Sequence, residues 1–179
     1  MFAQDVRSMV AKEECEKLAA IAKDALVLEL GTFAGRSTIA LASVAREVHT
    51  VDWHKGDQHS GSYDSLPEFV SNLQRYNLLA KIVAYVGKNE DVLPALRHLY
   101  SFDVAFIDSD HSLEAVERDI RLTRPLIRAG GVIAFHDYGE IPGLTPGFKF
   151  GVTEAVDEFV RREKASVEVV RTLAVVQLS

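Results

Sequence analysis

Five polar groups recur along this chain, each directly after an apolar run. They are Glu29 with Gly31 and Gly35, then Asp52, then residues 87–90, then residues 108–111, then His136 with Asp137. Carboxylates and imidazoles in such positions can move protons near neutral pH, ligate a divalent cation, or accept hydrogen bonds from sugar hydroxyls. The glycine spacing narrows the choice. In Glu29-Leu30-Gly31-Thr32-Phe33-Ala34-Gly35-Arg36-Ser37 the pattern is G-x-x-x-G, whereas a turn that cradles a pyrophosphate reads G-x-G-x-x-G. A carboxylate just before the turn repels phosphate and suits an ammonium or, through water, an amino acid. The alternative is a plain strand–turn–helix with an incidental Glu29.

Asp52 closes the second apolar run about twenty residues after the turn, where an acid can hold both ribose hydroxyls of a nucleoside. Its alternative is a surface acid at a strand end. Trp53 either lies against an adenine or fills a sheet edge. Asn89, in Gly87-Lys88-Asn89-Glu90, stands where adenine-edge contacts fall, or simply caps a helix. A nucleoside with an amino-acid tail and no phosphate satisfies the first two groups together; S-adenosylmethionine is such a molecule.

These groups can act together only if the fold gathers them. Residues 25–30, 47–52, 81–86, 103–107 and 132–135 are short apolar runs and read as strands. Between them, residues 36–46 and 91–99 read as helices. Ser65 and Glu68 have capping-box spacing ahead of a helix with Pro67 in its first turn. Ser112 is expected to cap a further helix that Pro125 ends, and Gly130-Gly131 to turn the chain into the fifth strand. Residues 152–162 are amphipathic, and 167–171 with 173–178 make an antiparallel pair. Residues 53–64, with His54 and His59, and 138–151, with Phe148 and Phe150, are expected as loops that shape a pocket. The first helix, about residues 3–23, is expected on the sheet edge or against a second subunit. Alternating strands and helices predict an α/β, Rossmann-like, doubly wound and mainly parallel sheet, in one domain spanning 1–179. In such sheets ligands bind beyond the carboxyl ends of the strands, where all five polar groups fall.

Composition removes several classes. Hydrophobic residues make up 47% of the 179, which excludes disorder. A net charge of −6 without a basic face leaves no footprint for nucleic acid. Cys15 is the only cysteine, so neither an intrachain disulfide nor a cysteine-rich zinc site is available. Residues 1–23 are broken by eight charges and read as neither signal peptide nor membrane span. A soluble cytoplasmic protein is expected, with no membrane partner.

In order, ELGTFAGRST, VDW, GKNEDVLPAL, FDVAFIDSDHSLEAVERDI and GGVIAFHDY resemble the class I S-adenosylmethionine-dependent methyltransferases. Within them the chain is most similar to the small O-methyltransferase-like branch of macrocin-type sugar O-methyltransferases and cephalosporin-hydroxylase-like proteins, and more distantly to catechol and caffeoyl-CoA O-methyltransferases. The resemblance runs from about residue 14 to residue 162. It implies a seven-stranded sheet ending in an antiparallel hairpin. It places Glu29, Gly31, Thr32, Gly35 and Ser37 at the cofactor's amino-acid end, Asp52 at its ribose, Trp53 and Asn89 near its adenine, and Asp108 beside it. Relatives that use a metal carry an acid after strand four and two ligands after strand five, which map to Asp108, His136 and Asp137. The His of the D-x-x-H pattern, here His111, inherits the part of general base beside Asp108. His136 departs from the acid of those relatives; an imidazole suits Mn²⁺, Fe²⁺ or Zn²⁺ better than Mg²⁺, and absence of a metal is the other reading. The resemblance implies O-methylation of a small-molecule hydroxyl with S-adenosylmethionine as cofactor, and a divalent metal, Mg²⁺ or Mn²⁺, as an open option. The expected partners are that acceptor and, as an open alternative, a second copy of the chain. Competing readings are an NAD(P)-dependent oxidoreductase, a non-catalytic S-adenosylmethionine-binding module, and a metal-dependent hydroxylase or hydrolase.

Overall fold

In a computed structural model that describes residues 3–57, 61–141, 143, 147 and 149–179, the apolar runs form strands. His59 and Phe148 lie outside the described residues. The strands are β1 Leu26–Leu30, β2 Glu47–Asp52, β3 Gly56–Asp57, β4 Gly61–Ser62, β5 Ile82–Val86, β6 Phe102–Ile107, β7 Ile127–Phe135, β8 Ser166–Val170 and β9 Leu173–Gln177. The helices are α1 Lys12–Ile21, α2 Arg36–Ala42, α3 Leu66–Arg75, α4 Asn89–Leu96, α5 Leu113–Thr123 and α6 Gly151–Glu163. Seven strands make one sheet in the order β5-β2-β1-β6-β7-β9-β8. Every pairing from β5 to β7 is parallel, and β9 runs antiparallel to both neighbours. The mainly parallel, doubly wound sheet and its final antiparallel pair are those expected from the sequence.

Parallel strands need both faces covered, and successive residues serve opposite faces. Leu28, Leu30, Ala105 and Ile107 pack against Leu93, Val116, Ile120, Val156 and Phe159 of α4, α5 and α6. Val27, Val48, Val104 and Phe106 pack against Cys15, Leu18, Ala40 and Leu41 of α1 and α2. Strand order reverses between β1 and β6, so a crevice opens at their carboxyl ends.

Several local expectations are corrected. The first helix starts at Lys12 and covers a face of the sheet rather than its edge, although Lys17 reaches Glu168 on β8. Residues 3–10 form a non-helical strap instead. The Arg36 guanidinium holds that strap by donating to the carbonyls of Gln4, Val6 and Val10. The second helix ends at Ala42. Residues 53–64 include the β3–β4 ribbon as well as loop. Ser65 forms no capping box: its hydroxyl pairs with His54 Nδ1, while Glu68 takes Arg7 and the Tyr63 hydroxyl. Ser112 precedes α5 without a side-chain cap, and its own N–H donates to Asp110. The fifth core strand begins at Ile127, so Gly130-Gly131 lies within it, where pairing with β6 shifts register between Phe102 and Val104. Among the described residues no helix is long and apolar enough to cross a membrane.

Candidate active site

The glycine turn after β1 is sewn to both neighbouring strands. Gly31 N–H donates to Val51, and Asp108 N–H donates to Leu30. Gly31 and Gly35 have φ of 81° and 94°, which favours glycine. Glu29 points inside and is fully buried. Neither of its carboxylate oxygens has a hydrogen-bond partner among the described residues. Burial pushes its carboxyl up to about 8; Ser37 and Thr38 oppose this, and the charges of Asp108 and Asp52 add to it.

Asp52 has a structural duty the sequence did not reveal. Oδ2 accepts from Thr32 N–H (2.7 Å), Phe33 N–H (3.0 Å) and the Thr32 hydroxyl (3.1 Å), and Oδ1 accepts from His54 N–H (2.7 Å). The carboxylate thus shapes the turn, and Oδ1 keeps capacity for another donor. Trp53 is 46% exposed, its indole N–H bonded to the Gly56 carbonyl and the Lys88 ammonium 5.3 Å from its ring centroid. The Asn89 amide is engaged within the protein. Its amide donates to Asp119 (2.8 Å) and Ser109 (3.2 Å), because α5 presents a buried carboxylate that needs donors. Asp119, which sequence reasoning passed over, also accepts from the Ser109 hydroxyl at 2.6 Å.

Beside the turn, the ends of β6 and β7 bring acids and imidazoles together. His111 Nε2 lies 2.8 Å from Asp137 Oδ2 and 3.9 Å from Asp108 Oδ1. His136 Nδ1 faces the same two oxygens, at 3.4 Å and 3.3 Å. Its Nε2 lies 3.2 Å from Glu14 of α1. Asp137 adopts a left-handed φ of 59°, which a short polar side chain tolerates, and the Phe150 ring packs on His111 with centroids 4.7 Å apart.

The electrostatics follow from these contacts. Burial pushes the His111 imidazole down, but hydrogen bonds and charge from Asp108 and Asp137 prevail and hold it at about 10. Burial likewise works against charged His136, and Asp108, Asp137 and Glu14 overcome it and hold its pKa far above the usual histidine range. Asp137 is pushed up by burial yet held well below the usual carboxylate range by the two histidines. Burial raises Glu14, and His136 and the Ala11 N–H outweigh it, bringing it to about 2. In this arrangement His111 faces two carboxylates, which favour its protonated form.

Among the described residues, the candidate cation set differs from the expected one by a single histidine. The donor atoms that lie within 4.8 Å of one another belong to Asp108, His111 and Asp137. His136 stands behind them, 3% exposed, with Glu14 on one nitrogen and the two carboxylates on the other. Two carboxylate oxygens and one imidazole, beside a recess of about 10 Å³ that Asp108, His111 and His136 line, fit a borderline divalent ion. Glu14 escaped the sequence reading. The available signal was an acid four residues before Leu18, on the apolar stripe of α1.

A parallel sheet with a glycine turn, a buried acid at its switch point and an acid–imidazole cluster alongside defines a Rossmann-like methyltransferase fold. The methyltransferase-domain family matches residues 28–138, and the chain belongs to that family. Similar solved structures share the fold. The cofactor-bound Rv0187 protein from MTB is 24% identical with a TM-score of 0.72, over 97% of this chain and 84% of that one. The O-methyltransferase TomG of Streptomyces achromogenes, involved in tomaymycin synthesis and solved with S-adenosylmethionine, is 19% identical with a TM-score of 0.70, over 98% and 83%. The Bacillus cereus O-methyltransferase, solved with S-adenosylhomocysteine, is 19% identical with a TM-score of 0.71, over 99% and 86%.

Proposed function

We propose that this chain transfers the methyl group of S-adenosylmethionine to a hydroxyl of a small molecule, with a divalent ion at Asp108, His111 and Asp137. One observation carries the cofactor reading: the two buried oxygens of Glu29, without a hydrogen-bond partner among the described residues, beneath a G-x-x-x-G turn. Buried acceptors call for donors; the cofactor's ammonium supplies them, whereas a pyrophosphate brings only further acceptors. That want of a donor argues against a nicotinamide dinucleotide. When bound, S-adenosylmethionine presents an electrophilic methyl on sulfonium sulfur. The metal, when bound, would fix an acceptor hydroxyl and lower its pKa. Asp52 shapes the turn and offers Oδ1 to a ribose hydroxyl. Asp108 and Asp137 hold negative charge at the strand ends. The lone buried Cys15 suits a reducing compartment, and we place the protein in the cytoplasm.

Calorimetry with S-adenosylhomocysteine, NADH and NADPH tests this directly. The thioether nucleoside is expected to bind and to raise the melting temperature; about 2.7 kcal/mol of stabilisation corresponds to a hundredfold excess over Kd. Binding of the nicotinamides alone overturns the proposal. A screen of hydroxylated acceptors, read by S-adenosylhomocysteine release, then separates an enzyme from a silent binder.

Two substitutions divide the labour. Asp52→Ala removes four hydrogen bonds from the turn and is expected to lower stability by about 3 kcal/mol and cofactor affinity at least about tenfold. His111→Ala removes a proposed ligand of the divalent ion and is expected to leave S-adenosylhomocysteine affinity within about threefold while turnover falls about a hundredfold. The reverse pattern in calorimetry and kinetics would refute this assignment.

A further inference from the structure

Glu14 is only 1% exposed, on a helix that begins far from the strand ends in sequence. A lone buried carboxylate is strongly unfavourable, so its contacts must account for it. Oε1 accepts from the Thr172 N–H (2.9 Å) and hydroxyl (2.8 Å). Oε2 accepts from the Ala11 N–H (2.7 Å) and faces His136 Nε2 (3.2 Å). Thr172 and Ala11 would suffice to anchor α1. The contact with His136 does something else. A carboxylate only accepts, so His136 must donate from Nε2, and that fixes the plane of its ring. With the ring fixed, Nδ1 is held against Asp108 Oδ1 and Asp137 Oδ2 together.

We infer that Glu14 is a positioning residue for a divalent-cation site at Asp108, His111 and Asp137, acting through His136. This rests on the proposed metal-assisted methyltransferase reading. Glu14 does not touch the ion. It orients the imidazole that in turn orients two of the three ligating groups. Losing a group one layer behind a ligand, the place His136 holds, changes metal affinity about 10- to 100-fold, and freeing its ring by removing Glu14 acts within that limit. The N-terminal helix is thereby part of the active site, although its residues are distant in the chain from every ligand.

The test is Mn²⁺ binding followed by electron paramagnetic resonance on the full chain with saturating S-adenosylhomocysteine. Melting temperature and S-adenosylhomocysteine affinity are recorded on the same samples. Glu14→Gln places an amide where the second acceptor oxygen stood. It is expected to weaken Mn²⁺ about 10- to 100-fold with S-adenosylhomocysteine affinity within about threefold. Glu14→Asp keeps the charge but withdraws it from His136, and is expected to give a smaller loss; it serves if the amide variant does not fold. Thr172→Val loosens the anchor of α1 without touching His136, so it is expected to lower the melting temperature and leave Mn²⁺ affinity unchanged. Equal Mn²⁺ affinity in the Glu14 variants and wild type overturns the inference, as does an equal loss in Thr172→Val. Wild type that binds S-adenosylhomocysteine but no Mn²⁺ also overturns it, with the methyltransferase reading intact. Wild type that binds no S-adenosylhomocysteine overturns the reading itself.

Discussion

Replacing Glu29 with Gln is expected to stabilise the cofactor-free protein and to weaken its hold on the cofactor. The carboxyl lies fully buried, neither oxygen has a hydrogen-bond partner among the described residues, and burial pushes it up to about 8 from an ordinary 4.5. A raised carboxyl pKa means that the folded state binds its proton more tightly than the unfolded state does. Between about pH 4.5 and 8 the folded chain therefore carries more protons, and stability falls as pH rises through that window. Each unit corresponds to about 1.4 kcal/mol, so the burden near pH 8 reaches several kcal/mol. Gln has no such burden. Urea unfolding at pH 4.5, 6 and 8 is expected to show little difference between the proteins at the acid end and a gain of about 2–4 kcal/mol for Gln near pH 8. S-adenosylhomocysteine affinity is expected to move the other way, falling tenfold or more, because a neutral amide replaces the acceptor of the ammonium. Binding to wild type at pH 7 should also release a proton from Glu29, seen as a calorimetric enthalpy that depends on the buffer. Parallel stability–pH curves for the two proteins, or equal affinities, would remove Glu29 from the cofactor site.

The sheet could be read from the sequence because its signals are local. Apolar runs bounded by glycine and acids became parallel strands, and β2 spans the predicted 47–52. The rule that ligands gather at carboxyl ends then placed Glu29, Asp52, Asp108, His111 and Asp137 on one rim. What escaped depends on partners distant in sequence. Ser65 and Glu68 have the spacing of a capping box, but His54 and Arg7 offer stronger partners across the fold. Asn89 looked like a cap or an adenine contact, yet Asp119, thirty residues on, takes its amide. Spacing alone does not say which of the two rings, His111 or His136, has a further layer of protein behind it. That layer is Glu14, which lies 122 residues from His136 in the chain. No periodicity within α1 could reveal that contact; only the acid on its apolar stripe pointed to a buried partner.

Gly31→Ala is expected to be the most damaging small substitution in the molecule. Two costs act there, and they can be separated. The first is conformational: a φ of 81° is left-handed, a cost to alanine of about 1 kcal/mol. The second is contact. A Cβ at this position would stand 2.0 Å from the Asp108 carbonyl oxygen, 2.6 Å from its carbon and 2.9 Å from Ser109 Cα. All three are backbone atoms, so no rotamer change relieves them. Relief requires β6 to move away from β1, which breaks the Asp108 N–H to Leu30 bond of 2.8 Å and shifts the first residue of the acid–imidazole cluster. Gly139→Ala is the control, because it has a φ of 84° and, among the described residues, nothing within 4 Å of an added Cβ. Urea unfolding is expected to give about 1 kcal/mol of destabilisation for Gly139→Ala and more than about 3 kcal/mol for Gly31→Ala. The excess measures the close approach alone. S-adenosylhomocysteine affinity should fall only in the Gly31 variant, since the same seam carries both the turn and Asp108. Equal losses at the two glycines would mean that the β1–β6 junction yields easily and that its tightness does not position the site.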